Sequence, residues 1–189
     1  MSRAARQAQL IGAAASAFLA GGYERTSMED VAKSAGVSRL IVYRNFASKE
    51  ELYRAVLREV LVDLGAAFSG LSFEDVADRG AATVVLPVAR AHPDAFRLLW
   101  RDAWHQPPFG DLADEFRTYV TVYARAILRG YIADETRLDW AARSAGSNLV
   151  DSVCHWLDDG DPSRDDEVAT AISDGLRALA GAWSDDSAG

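Results

Sequence analysis

Apolar side chains recur along this chain at intervals of three and four: Leu10, Ala13, Ala14, Ala17 and Phe18 in one stretch, Leu52, Val56, Val60 and Leu64 in another. That spacing returns each side chain to the same face of an α-helix, and no segment shows the sustained alternation of a half-buried strand. The five prolines stand at 87, 93, 107, 108 and 162, three of those positions at evident breaks in the pattern. An all-helical protein of about nine helices is the expectation.

Glycines and capping residues set the expected boundaries. A first helix spans 3–20 and exits at Gly21-Gly22, where glycine supplies a left-handed turn without steric cost. A second, opened by Ser27 with Asp30 three residues on, ends at Ala35 before Gly36. Ser38 heads a third over 39–46, and Ser48 with Glu51 heads a fourth that runs to about 68. A fifth is expected over 72–91, interrupted or bent near Pro87, and Pro93 starts a sixth that ends before Gln106-Pro107-Pro108. The seventh covers 111–131, the eighth 139–157 and the ninth, capped by Ser163 with Asp166, covers 163–183; residues 184–189 form a frayed tail.

With 189 residues, 49% of them hydrophobic, the chain can bury the cores of one or two small domains. Its one cysteine, Cys154, permits no intrachain disulfide and no CxxC pair. Arg3, Arg6 and Gln9 place a wet face on the first helix, which argues against a signal peptide or membrane span and for a cytoplasmic protein with no membrane partner. The net charge of -8 argues against nucleic acid until the chain is divided. Residues 1–62 hold nine Lys and Arg against six Asp and Glu, whereas 63–189 hold eleven against twenty-two. A mildly basic module is joined to an acidic body.

Within the basic part, two helices of about eight residues flank a turn at Gly36, the helix-turn-helix arrangement that sets a recognition helix into the DNA major groove. At 100° per residue Val42 and Phe46 share a core-facing side, packing on Val31, Ala32, Ala35 and Phe18, while Leu40, Ile41 and Arg44 point away. Apolar Leu40 and Ile41 beside Arg39, Arg44 and Asn45 can meet thymine methyls while the arginines take guanine or phosphate.

The run TSMEDVAKSAGVSRLIVYRNFASKEELYRAVL resembles the N-terminal DNA-binding domain of the TetR/AcrR family of transcriptional regulators. The resemblance covers about residues 6–60 and rests on Phe18, Gly22-Tyr23, Thr26, Val31-Ala32, Ala35-Gly36-Val37-Ser38, Tyr43, Phe46 and Ser48-Lys49-Glu50. It implies a homodimer that binds a double-stranded operator and a C-terminal helical domain that binds a small molecule. On that likeness Tyr43 and Lys49 contact phosphates, and Ser27 and Ser38 contact the backbone through hydroxyls or helix-terminal amides. Arg39, Leu40 and Ile41 then take the base-reading positions. Members often carry Gly-Thr where this chain has Leu40-Ile41, and His or Tyr near Arg44-Asn45, so the operator does not carry over. The expected domains are 1–48 for DNA binding and 49–189 for ligand binding and dimerisation.

Past residue 60 the resemblance fades and physical patterning takes over. The last two helices carry apolar stripes, including Trp140, Leu149, Val153 and Trp156 on one and Ile172, Leu176, Leu179 and Trp183 on the other. Two such helices per subunit point to a four-helix dimer interface about a two-fold axis. Phe96, Trp100 and Trp104 recur every four residues, and with Phe116, Tyr119, Tyr123 and Asn148 they are the expected lining of an apolar pocket.

Enzyme chemistry finds little purchase. Cys154 and His155 are adjacent, so on a helix their side chains diverge by about 100° and form no nucleophile-base pair. His92, His105 and His155 lack metal-ligand spacing, and no glycine-rich phosphate loop calls for a cofactor. The reading is a ligand-responsive regulator, a repressor released from a pseudo-palindromic site by an apolar or aromatic effector. Two alternatives stay open at this stage: a DNA-binding regulator that needs no ligand, and a helical ligand-binding or enzymatic domain without DNA binding.

Overall fold

The computed structural model describes residues 2–184; the tail expected at 185–189 lies outside the described residues. Among them are ten α-helices and no strand. They group into two compact units, one holding the chain up to Asp63 with His92–Ala113, the other holding Leu64–Ala91 with the described chain from Asp114 onward.

The first unit begins with α1 (Arg3–Gly21), α2 (Met28–Ser34) and α3 (Arg39–Asn45), followed by the start of α4 (Lys49–Phe68). α1 ends at Gly22, whose N–H donates to the Phe18 carbonyl. α2 opens on a reciprocal cap: Asp30 N–H donates to the Ser27 hydroxyl, and the Asp30 carboxylate accepts from the Ser27 N–H. Those bonds to Ser27 hold the Asp30 carboxyl below the ordinary carboxylate range. Gly36 makes the turn with φ 65°, a left-handed geometry that a Cβ disfavours. Leu10, Phe18, Val31, Val42 and Val56 are sealed from solvent, and Phe46, Ala32 and Ala35 are buried as expected.

An aromatic cluster extends this core. Phe18 packs edge-on against Tyr53, and Phe109 lies 4.4 Å from the Tyr53 ring and 4.8 Å from that of Tyr23. Burial pushes the Tyr53 hydroxyl pKa well up. Arg54 fixes the segment carrying Phe109 by donating to Asp111 (2.8 Å) and to the Pro108 carbonyl.

Two expectations from the prolines are corrected. The helix expected over 72–91 breaks at Gly80, not at Pro87, into α5 (Phe73–Arg79) and α6 (Ala81–Ala91), and α6 runs through the exposed Pro87. Gly80 has φ 90°, and a Cβ there would lie 2.2 Å from Ser173 Oγ. The helix expected from Pro93 to Gln106 is only α7 (Pro93–Arg97), continued by a π-helical turn at Leu98–Asp102 and a 3₁₀ turn at Ala103–His105. A wider and then a tighter turn break the four-residue phase. Phe96 is accordingly buried, Trp100 half-buried and Trp104 exposed, so the three do not form one stripe.

The second unit contains α5, α6, most of α8 (Gly110–Leu128), α9 (Glu135–Asp159) and α10 (Asp165–Ala182). α9 starts earlier than expected because Asp134 caps it by accepting from Arg137 N–H. α6, α9 and α10 pack on one another, and Leu128, Ile132, Leu138, Ala141, Ala142 and Ala180 form a core with Trp183 against it. Asp165 accepts from Arg90 through two bonds (2.8 and 2.9 Å) and from the Trp156 indole (2.6 Å), which ties α6, α9 and α10 together.

Candidate nucleic-acid interface and cavity

α3 is short, contains two arginines and no acid, and buries Val42 alone. Positions four apart stack along a helix, so its outer face consists of two stripes, Arg39 with Tyr43 and Leu40 with Arg44. All four side chains are exposed, Leu40 at 58%. An apolar side chain that open to water beside two guanidinium groups suits a groove that offers methyls, acceptors and phosphates together.

The remaining residues named for this surface are placed differently from one another. Ile41 is half-buried rather than pointing fully outward. Asn45 is also half-buried, and its side-chain amide donates to the Ile41 carbonyl one turn back (2.8 Å), which draws it onto its own helix. Ser27 spends its hydroxyl on Asp30, to which it donates at 2.6 Å. Ser38 caps α3 without a side-chain hydrogen bond, so its hydroxyl is not committed to the cap.

Two contacts at this surface are not readable from helix patterning. Arg39 pairs with Glu29 of α2, and its guanidinium lies 5.1 Å from the centre of the Tyr43 ring, with Nη2 3.4 Å from the Tyr43 hydroxyl. The pair neutralises an acid beside the exposed face and spans α2 and α3. Lys49, first residue of α4, donates to the carbonyls of Tyr23 (2.8 Å) and Glu24 (3.3 Å) and sits 4.3 Å from the Tyr23 ring centre. Only the adjacent Gly22-Tyr23 pattern hinted that this loop mattered.

The second unit encloses a cavity of about 260 Å³. Phe116, Tyr119 and Tyr123 of α8 are on its lining. Phe96, Trp100, Trp104 and Asn148 are not on its lining. The broken helical phase removes the first three, and Asn148 lies on an exposed face of α9 whose neighbours Ala145, Gly146 and Leu149 do line the space. Sequence reasoning missed the small residues Ala77, Gly80 and Ala81 and the rim groups Asp78 and Arg177, which come from elements distant in the chain.

Among the described residues no helix is long and apolar enough to cross a membrane, and no cluster of His, Cys, Asp and Glu is arranged to hold a metal ion.

Residues 10–56 match the family model of the bacterial regulatory proteins, tetR family. The HTH-type transcriptional activator FasR of Mycolicibacterium smegmatis is 43% identical over 58 residues, 31% of this chain and 26% of that protein. The HTH-type transcriptional regulator RutR of Escherichia coli K12 is 37% identical over 98 residues, 50% of this chain and 46% of that protein. The matches thus span less than half the length of these relatives. Among solved structures, a TetR-like transcriptional regulator from Rhodococcus sp. RHA1 superposes with a TM-score of 0.76 at 22% identity, covering 96% of this chain and 97% of that one. A tetR-family regulator from Streptomyces coelicolor does so with a TM-score of 0.64 at 25% identity, covering 98% and 86%.

Proposed function

The chain belongs to the TetR family of bacterial regulatory proteins, transcriptional regulators rather than enzymes, and from that premise we propose a ligand-responsive repressor that grips its operator as a homodimer. The observation that carries the reading is the exposed face of α3, where Arg39, Leu40, Tyr43 and Arg44 stand together without an acid of their own helix. Leu40 and Arg39 read base edges, and Ser38, Tyr43, Arg44 and Lys49 hold phosphates. Residues 1–48 form the DNA-binding part and 49–189 the ligand-binding and dimerisation part, acting in the cytoplasm where the operator is.

Dimerisation runs through α9 and α10. Trp140, 51% exposed on α9, pairs with Trp183 just beyond α10 at 4.9 Å, leaving a large apolar group for a partner to cover. Two-fold symmetry then calls for a pseudo-palindrome with half-sites roughly 34–36 Å apart. A small apolar or aromatic effector enters the cavity and favours a subunit arrangement that no longer matches that spacing. DNA and effector oppose each other by the same factor in both directions.

Selection from a random duplex library at physiological salt tests this reading. A palindromic winner bound at about 10⁻⁸ M or tighter by two chains supports it; no enrichment from folded dimer overturns it. Activation is the competing sign, since one relative is named an activator. A reporter driven from the selected site rises on deletion of the regulator if it represses and falls if it activates.

A further inference from the structure

With the cavity as the effector site, we infer that it takes an uncharged, flat aromatic molecule of about two fused rings that carries one hydrogen-bond acceptor. Its volume of about 260 Å³ is roughly 1.7 times that of an apolar cavity of about 150 Å³ that takes benzene, which suits a bicyclic ring system with one small substituent.

The shape of the lining calls for a flat guest. Phe68 lies 4.7 Å from the Tyr123 ring and 5.6 Å from that of Tyr119, and the two tyrosine rings are 4.9 Å apart, so ring faces and edges stand together at stacking distances. The rest is mostly branched aliphatics such as Leu64, Val85 and Ile127, interleaved with glycines and alanines such as Ala124, Ala145 and Gly146 that leave room beside the rings. Two of the lining glycines are sites of close approach between elements: a Cβ on Gly146 would meet Val120 Cγ1 at 2.7 Å, and one on Gly80 would meet Ser173.

Charge is confined to the rim. Asp78 and Arg177 are exposed, and Arg177 is already paired with Asp174, so two carboxylates stand there against one guanidinium and do not recruit an anion. The other polar side chains on the lining are hydroxyls, and an ionised group held among them without a counter-charge loses its hydration uncompensated.

The hydroxyls specify the acceptor. Tyr119 and Tyr123, one turn apart on α8 with ring centres 4.9 Å apart, both line the cavity. Each hydroxyl brings one proton, and even a bond between the pair leaves one for a guest atom. A carbonyl oxygen or ring nitrogen on the aromatic system is the matching group.

Equilibrium dialysis of the full chain against four probes tests this. They are 2-acetylnaphthalene, 2-ethylnaphthalene (the same ring without the acceptor), 2-naphthoate (the same ring with a charge) and decanoate (a flexible anion). The expected result is one 2-acetylnaphthalene per chain, held about five- to tenfold more tightly than the ethyl compound and the two anions. In the Tyr119→Phe/Tyr123→Phe double variant, which keeps both rings, the acetyl compound loses its advantage while the ethyl compound binds as before. Ala124→Phe on α8 and Ala145→Phe on α9 each fill the cavity and abolish binding of all four, with the folded state verified by circular dichroism. Tighter binding of 2-naphthoate or decanoate, an acetyl advantage that survives the double variant, or no binding by any probe overturns the assignment. Binding is read without DNA, so a chain that takes 2-acetylnaphthalene yet holds its operator unchanged upholds the ligand class and overturns effector-driven release instead.

Discussion

Replacing Lys49 with alanine separates two jobs that its position combines. The ammonium has three protons. One goes to the Tyr23 carbonyl at 2.8 Å and one to the Glu24 carbonyl at 3.3 Å, with the Tyr23 ring 4.3 Å away. A hydrogen bond from a charged donor contributes about 1.5–3 kcal/mol, and a cation over an exposed ring about 0.5–1 kcal/mol. The second bond is long and exposed, so the total is taken as about 2 kcal/mol. For a chain of this size that lowers Tm by roughly 4–8 °C. The third proton is left for a phosphate, and losing that contact flattens the dependence of log affinity on log salt by about one unit. Thermal melts of the free protein and operator binding between about 50 and 200 mM salt measure the two effects. An unchanged melt refutes the clamp between α4 and the loop after α1. An unchanged slope refutes the phosphate contact.

The remaining predictions concern the frame. Gly36→Ala meets nothing within 4 Å and should cost about 1 kcal/mol for its positive φ, whereas Gly80→Ala also drives a Cβ into Ser173 and should cost about 3 kcal/mol or more in urea unfolding. Asp165→Asn should lose about 1–3 kcal/mol at neutral pH, since Arg90 first and Trp156 second hold the Asp165 carboxyl below its ordinary range. A depressed carboxylate contributes fully above its unfolded pKa of about 4 and is lost as pH falls through its lower folded value, so wild type and variant should converge only as pH falls below about 4. Trp140→Glu should shift the sedimentation of the free protein from dimer towards monomer, because it puts a charge on the apolar group assigned to the interface.

How much of this was legible in sequence followed from how local each cause is. The caps at Ser27 and Ser38, the turn at Gly36 and the burial of Val42 and Phe46 depend on neighbours within a few residues, and all of them stand where the pattern put them. Gly80 ends α5 as a glycine exit with φ 90°, but a proline lies within the same stretch, and Pro87 attracted the attention instead. The tryptophan stripe failed because a π turn changes the period on which the stripe was drawn. Phe116, Tyr119 and Tyr123 could be named as large aromatics on one helix; the small residues facing the cavity come mostly from other helices and announce nothing by themselves. The Arg39–Glu29 pair joins two helices whose side chains meet only once the turn between them is folded.

The central claim is that the outer face of α3 reads base pairs, and repeating the DNA selection with Leu40→Ala tests it most directly. The account predicts relaxed preference at one symmetry-related pair of positions in the selected site, with the salt dependence of binding retained. A uniform loss of affinity with an unchanged site, or no change at all, would contradict it.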